Sequence, residues 1–386
     1  MPYRFRNKHI FPIKPGNAFR LLIDGQQFYP QMLAGINSAQ HVVMFEQYLV
    51  SSGRTCDDFI HALINAARRQ VRVCVLFDGY GASALSAADS RRLVDAGIEL
   101  VFYNPVKLRR FYHNFFRTHR KILIVDNRLA FVGGAGITDE FSPHIKGEMA
   151  WHDVMLEIHG PVIADWQALF MDVWQRSTRQ PLQTQLAPPA ACIEDQIGQV
   201  LQEGPFRGQA IKQALLNRIN KATQRIWITT PYFIVPMRIR RALRRAAQRG
   251  LDVRLLLPGP HSDIPWVSNA ARRFYMGLLK NNIRIFEFQP RFTHSKIEMC
   301  DNWVSLGSSN LDRWNQYWNL DANQAVEDEQ FTAHILDYFT KDFAKSREIT
   351  LAEWQQRPWR LRVREYLSGL LVYWLEKLTH QFRKID

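Results

Sequence analysis

A duplicated text runs through this chain. The stretch AARRQVRVCVLFDG, beginning at Ala66, is echoed by AAQRGLDVRLLLPG beginning at Ala246, an offset of 180 residues. GIELVFYNP, ending at Pro105, matches NIRIFEFQP ending at Pro290, and VVMFEQYLV around Tyr48 matches IWITTPYFIV around Tyr232. A repeat this long describes two copies of one folding unit rather than an array of small ones. Each copy reads as apolar strand, basic amphipathic helix, apolar strand, second helix, apolar strand. That alternation predicts an α/β fold of two halves, each a mostly parallel mixed sheet flanked by helices. The prolines of QPLQTQLAPPAACIEDQ mark a crossing linker, which places the first half at residues 1–178, the linker at 179–203 and the second half at 204–346. A Trp- and Arg-rich tail at 347–386 has no counterpart in the first half.

The chemistry lies at the same place in both halves. After the third strand comes His119-Arg120-Lys121 with Asp126, and in the second half His294-Ser295-Lys296 with Asp301, both spaced H-x-K-x-x-x-x-D. Alternation along a strand puts His119 and Lys121 on one side, and likewise His294 and Lys296. The turns at Asp126 and Asp301 lead into second strands, so each motif reads as a hairpin, and in the second half the return brings Ser308 and Asn310 beside the His-Lys pair. One H-x-K is an ordinary polar strand edge. Two copies in register are not what packing alone would maintain. Two imidazoles and two ammonium groups suit transfer at a phosphodiester: one ring attacks phosphorus, the other protonates the leaving oxygen, and the lysines balance the charge on the remaining oxygens. The scheme calls for no metal and no cofactor, and no metalloprotease helix or P-loop pattern accompanies it.

Two H-x-K-x-x-x-x-D motifs in a duplicated α/β chain resemble the phospholipase D superfamily, over roughly residues 18 to 345. The flanking text EIHGPVIADWQALFMDVW, GSSNLD and NLDANQAVEDEQF is most similar to bacterial cardiolipin synthases. The resemblance implies two halves that place His119 and His294 on opposite sides of one phosphate, and a phosphatidyl-histidine intermediate. It implies His119 as nucleophile, His294 as general acid and then base, and Asp153 and Asp321 as carboxylates that hold the histidines through their other ring nitrogens. Asp126 and Asp301 count with the catalytic set as motif members, although a structural role at the hairpin turn fits them as well. The chain departs from the family pattern twice. Gly133-Gly134-Ala135-Gly136 lacks the hydroxyl and amide of Ser308 and Asn310, and the second hairpin has five residues between Asp301 and Gly307 against six between Asp126 and Gly133. A shorter turn can shift register, which bears on where Ser308 lies.

A formal net charge of +14 favours an anionic partner. With the resemblance, the expected partners are anionic phospholipids, phosphatidylglycerol and cardiolipin, and a membrane surface; nucleic acid is the less expected one, and the oligomeric state stays open. The expected function is transfer of a phosphatidyl group from phosphatidylglycerol to a second phospholipid with release of glycerol. A phospholipase D or phosphatidylserine synthase-type enzyme, and a nuclease using the same His-Lys pairs, are the alternatives. No run of 18 apolar residues and no signal-peptide core is read, so the expected location is peripheral, on the cytoplasmic face of a bacterial inner membrane. Cys56, Cys74, Cys192 and Cys300 are too dispersed for a zinc site or a disulfide framework. An insertion before the first motif, Lys107 to Arg117, is basic and aromatic without an acid and reads as lipid-docking loop, stacking platform or plain packing. In the tail, Val363, Tyr366, Leu367, Leu370, Leu371, Trp374, Leu375 and Leu378 fall on one helical stripe, and residues 354–386 carry net +4. That stripe suits either a membrane interface or packing on the protein.

Overall fold

The computed structural model describes residues 11–107, 111–182, 194–205, 208–312 and 318–382. Leu108 to Arg110 of the insertion and residues 183–193 of the linker, Cys192 among them, lie outside them. The first half contributes β1 (Lys14–Ile23), β2 (Val42–Gln47), β3 (Arg72–Asp78), β4 (Glu99–Tyr103), β5 (Arg117–Thr118), β6 (Ile122–Val125), β7 (Leu129–Gly133) and β8 (Val154–His159). The second contributes β9 (Gln196–Gly204), β10 (Gly208–Gln209), β11 (Arg225–Thr229), β12 (Asp252–Pro258), β13 (Arg284–Phe288), β14 (Ile297–Cys300), β15 (Trp303–Gly307), β16 (Asn319–Glu327) and β17 (Ser346–Ile349). β9 occupies the end of the stretch read as linker.

Each half forms one sheet, in the order β4-β3-β2-β6-β7-β8-β1 and, correspondingly, β13-β12-β11-β14-β15-β16-β9, with β17 added beyond β13. The duplication therefore extends to strand order. It also corrects the expected mostly parallel pairing. In the first sheet only β2–β3 and β3–β4 are parallel, and β2–β6, β6–β7, β7–β8 and β8–β1 are antiparallel. Consecutive strands pair in parallel only where a long crossover, here a helix, carries the chain back. The motif hairpin and the two strands beyond it need no such crossover.

Both motif hairpins form as expected. The first closes through Asp126, Asn127 and Arg128 between Val125 and Leu129, the second through Asp301 and Asn302 between Cys300 and Trp303. The missing residue is absorbed in the turn. Ile122 faces Val132 and Ile297 faces Leu306, so the register is preserved and Ser308 occupies the position of Gly134.

The two sheets lie on either side of a central apolar layer. Met44, Leu76 and Ile124 of one sheet and Leu256, Phe286 and Ile297 of the other share this core with Trp166 and Phe170 of the helix Ile163–Thr178 and Phe339 of the helix Glu329–Ala344. A separate core lies on each outer face under the remaining helices. Trp166 also donates from its indole nitrogen to Gln324 Oε1 at 2.8 Å, so a first-half helix bonds to a second-half strand. Truncating such a buried indole to alanine costs about 3–5 kcal/mol. β1 is shared, pairing with β8 in its own sheet and through Lys14 and Asn17 with β9 of the other, and β5 pairs with the start of β16. The halves are thus one packed body, and the motif strands meet at their join.

Candidate active site

The backbone brings the histidines together. Arg117 and Thr118 pair with Asn319 and Leu320, and His119 N then donates to Leu320 O at 2.9 Å, which sets Asp321 beside the first motif. At the second motif, His152 of the first half bridges to Thr293, and His294 N donates to His152 O at 2.7 Å, which sets Asp153 beside that motif. The carboxylates are therefore exchanged. His119 Nδ1 lies 2.9 Å from Asp321 Oδ1, and His294 Nδ1 lies 2.6 Å from Asp153 Oδ2. An ionised carboxylate only accepts, so each Nδ1 carries the proton and each Nε2 keeps its lone pair in the neutral ring. All four residues are buried, His119 and His294 8% exposed, Asp153 0% and Asp321 1%.

The lysines complete a closed group. Lys121 Nζ donates to His119 O at 2.6 Å and Lys296 Nζ to His294 O at 2.5 Å; Lys296 Nζ is also 3.2 Å from His294 Nε2. Burial, aided by Lys121 and by Lys296 across the join, lowers the His119 pKa to about 4 against the pull of Asp321. Burial and Lys296 lower His294 to about 3, with Asp153 opposing and Lys121 adding. Lys121 falls to about 7 through burial and Lys296, and Lys296 is lowered mainly by burial. For Asp321 burial acts upward, but His119, Ser308 and Lys121 together hold it below the ordinary carboxylate value. Each lysine thus acts on both imidazoles, which makes this one site. Buried cations of like sign repel, and an anion between them relieves that repulsion.

Around the rings, Tyr48 meets His119 edge-on at 4.8 Å, with Lys121 Nζ 5.2 Å from the Tyr48 ring centre. Trp151, Phe141 and Phe292 surround His294 at 5.6, 5.6 and 5.9 Å. Ser308 Oγ donates to Asp321 Oδ1 at 2.8 Å and accepts from Ala322 N at 3.1 Å, so its hydroxyl fixes the carboxylate that holds His119. Gly134, in the matching position, has no such group. A Cβ there would stand 2.5 Å from Asp153 Oδ2, so glycine makes the room that the other carboxylate needs. Asn310 is buried and its Oδ1 has no partner among the described residues.

Asp126 and Asp301 are not in this group. Asp126 accepts from Gln40, His41 and Val42 N, each at 2.8 Å, and Asp301 from Thr223, Gln224 and Arg225 N at 2.8 to 3.0 Å. Both lie at the far end of the motif hairpin and tie its turn to the start of the central strand, which corrects their place in the catalytic set. Among the described residues no cluster of three or more His, Cys, Asp or Glu could hold a metal ion. The insertion's Phe115 and Phe116 pack on Trp318 at 5.3 and 5.2 Å, just before β16, so this part of it serves packing between halves.

Two side chains take roles that the sequence reading did not assign them. Arg117 is buried, donates from Nη1 to Asp78 at 3.2 Å, and has no partner for Nε and Nη2 among the described residues. Its signal was its position two before His119, on the same side of an extended segment. His152 bonds through Nδ1 to Asp24 and through Nε2 to Asp342, both at 2.8 Å, and stacks between Phe288 and Tyr338. It is a clasp between halves. No spacing in the sequence distinguishes it.

With this geometry the chain matches the family described as cardiolipin synthase, phospholipase D-like domain, over residues 32–174 and 215–343. It is 32% identical to the cardiolipin synthase of Geobacillus kaustophilus over 93% of this chain and 73% of that one. It is 34% identical to cardiolipin synthase A of Pseudomonas putida over 88% of this chain and 71% of that one. The fold is that of the phosphatidylserine synthase of Haemophilus influenzae, with a TM-score of 0.72 at 14% identity over 96% and 97% of the two chains. Polyphosphate kinase of Porphyromonas gingivalis shares it more distantly, with a TM-score of 0.60 at 15% identity over 91% of this chain and 53% of that one. Two phospholipase D-like halves with exchanged carboxylates, matched over this much of the sequence, make the chain a member of the cardiolipin synthase family of the phospholipase D superfamily.

Proposed function

We propose that the chain is a phosphatidyl transferase of the cardiolipin synthase type, and that the exchanged His–Asp pairs carry the reaction. His119 Nε2 attacks the phosphorus of phosphatidylglycerol. The bond from phosphorus to the glycerol oxygen breaks, and that oxygen takes a proton from His294 Nε2 as glycerol leaves. The hydroxyl of a second phosphatidylglycerol then gives its proton to His294, attacks phosphorus, and breaks the phosphorus–nitrogen bond to His119. Lys121 and Lys296 balance the non-bridging oxygens, and the two free donors of Arg117 add a bidentate contact for a phosphate oxygen.

The observation that carries this reading is that both histidines are depressed, to about 4 and about 3, with Nδ1 tied to a carboxylate. A neutral Nε2 is ready to attack without losing a proton first. When the phosphodiester anion enters, its charge raises the imidazoles, and one becomes the acid. The substrates of that reaction sit in a bilayer, which supports a location at a membrane surface; the cytoplasmic face of a bacterial inner membrane is the one we propose. Among the described residues no helix is long and apolar enough to cross a membrane.

The test supplies labelled phosphatidylglycerol in mixed micelles and separates the products. Cardiolipin with equimolar glycerol is expected. Phosphatidic acid alone would make the chain a hydrolase, and cleavage of single-stranded DNA with no lipid turnover would make it a nuclease.

A further inference from the structure

The C-terminal helix Trp359–Phe382 turns one face inward. Glu365 is buried with Arg357, and one turn later Gly369 O accepts from Arg273 Nη1 at 2.9 Å, against the helix Pro265–Arg272. A Cβ at Gly369 would stand 2.6 Å from Arg273 Nη1, so this is a close approach of backbone to side chain. At helical spacing, Trp359, Val363, Tyr366, Leu367 and Leu371 lie on the opposite arc. They are 68, 44, 64, 58 and 50% exposed. Val363, Tyr366, Leu367 and Leu371 of the tail's apolar stripe therefore face outward, while Leu370 is half-buried, and packing among the described residues does not account for the exposed four.

Its surroundings are cationic. Arg360 and Arg364 edge the stripe on one side and Arg362 on the other, all exposed. On the inward side Arg273 stacks on Phe274 at 4.6 Å, and Arg240 stacks on the same ring at 4.0 Å. Arg240 belongs to the helix Met237–Gln248, whose Arg238, Arg241 and Arg245 are exposed and which contains no acid. The arginine-rich helix and the tail helix are thus joined through one arginine–phenylalanine–arginine stack.

We propose that the outward face of the helix Trp359–Phe382 is the surface by which this protein lies on an anionic phospholipid bilayer. Tryptophan, tyrosine and leucine on one arc, flanked by arginines, match the boundary between headgroups and acyl chains, where rings and alkyl groups enter and guanidinium groups stay with phosphate. Anionic headgroups complement the flanking Arg360, Arg362 and Arg364. The choice of occupant rests on the lipid-transfer reading above; the existence of the face does not. A second copy of the chain would have to bring those arginines together around the same apolar arc.

Truncation is a poor test, because removing the helix strips Glu365 from Arg357 and exposes the support beneath it. Substitutions on the outward arc leave that support intact. The triple variant Val363→Ser, Leu367→Ser, Leu371→Ser is compared with the full wild-type chain by co-sedimentation with vesicles of equal parts phosphatidylcholine and phosphatidylglycerol. The oligomeric state of both is followed by light scattering, and turnover is measured with monomeric short-chain phosphatidylglycerol. The variant should bind vesicles at least about tenfold more weakly, since each lost alkyl group removes membrane affinity. Its short-chain turnover and oligomeric state should not change. Arg360→Gln with Arg364→Gln should weaken binding to these vesicles and reduce its salt dependence, with less effect on pure phosphatidylcholine. Unchanged vesicle binding in the triple variant overturns the proposal, as does a wild-type dimer that the variant converts to monomer. If wild type binds vesicles but turns over no short-chain lipid, the transferase reading fails while the docking surface stands.

Discussion

The two halves share a strand order, a motif and a hairpin register, and they differ where the carboxylates are held. Behind the second motif hairpin, Ser308 donates to Asp321, which holds His119 of the first half. Behind the first, Gly134 only makes space for Asp153, which holds His294 of the second half. Each half therefore supplies the ring of one pair and the carboxylate of the other. A single half contains no complete His–Asp pair, so duplication here makes one site rather than two. The difference between Ser308 and Gly134 then gives two chemically similar rings unequal support. The ring fixed through a serine-anchored carboxylate is His119, the one assigned to attack.

That comparison can be broken most severely at the rings. His119→Ala or His294→Ala should each lower the rate of cardiolipin formation by roughly 10⁴-fold or more, with little further loss in the double variant, because nucleophile and acid act as a unit. Next in size, Asp321→Asn and Asp153→Asn should each cost about 10³-fold by removing the acceptor that fixes the Nδ1–H tautomer.

The unequal support predicts unequal sensitivity. Gly134→Ala drives a methyl group into Asp153 and should cost about a hundredfold, the scale of a misplacement near one ångström. Ser308→Ala removes one hydrogen bond to Asp321 and should cost about tenfold. Equal losses at the two positions would mean that the halves are supported alike.

The smallest effect is on stability against pH, followed as Tm. Burial pushes His152 down, but Asp342 and Asp24 overcome it and raise it from 6.5 to about 9. A raised histidine stabilises fully below 6.5 and loses its contribution as pH rises toward 9. His119 and His294 are depressed to about 4 and 3, so the unfolded chain binds protons first and stability falls as pH drops below 6.5. Lys121, lowered to about 7, acts in the opposite sense above pH 7, where the unfolded chain holds the extra proton, so the loss from His152 is read by difference. The Tm gap between wild type and His152→Gln should narrow as pH rises from 6.5 toward 9, and the acid-side fall should remain in both.

Much of this was legible in the sequence, because the repeat carries both element order and motif spacing. The strands and hairpins, the His–Lys pairs and the position of Ser308 could be read from it, whereas Asp153 and Asp321 followed only from the resemblance to the phospholipase D superfamily. Pairing direction could not. Apolar runs such as VVMFEQ and LAFVG announce strands but not their neighbours, and the antiparallel half of each sheet has no sequence mark beyond the hairpin. The exchange of carboxylates was hidden for the same reason, since it depends on β5 pairing with β16 across the join. Asp126 and Asp301 were drawn into the catalytic set by motif membership, while their oxygens are taken up by backbone amides. The clasp that His152 makes could not be read, because its partners, Asp24 and Asp342, are remote in sequence.

The central claim is a single site with exchanged pairs and His119 as the attacking ring. It is tested by rapid quench with a labelled phosphatidyl ester of p-nitrophenol, whose leaving group needs no proton from His294, in the His294→Ala background, followed by digestion and location of the label. Label should accumulate on the peptide containing His119. Adding Asp321→Asn should abolish it, although Asp321 lies 202 residues away, and adding Asp153→Asn should change it little because its partner ring is already gone. Label on any other peptide, or labelling that depends on Asp153 and not on Asp321, would contradict the account.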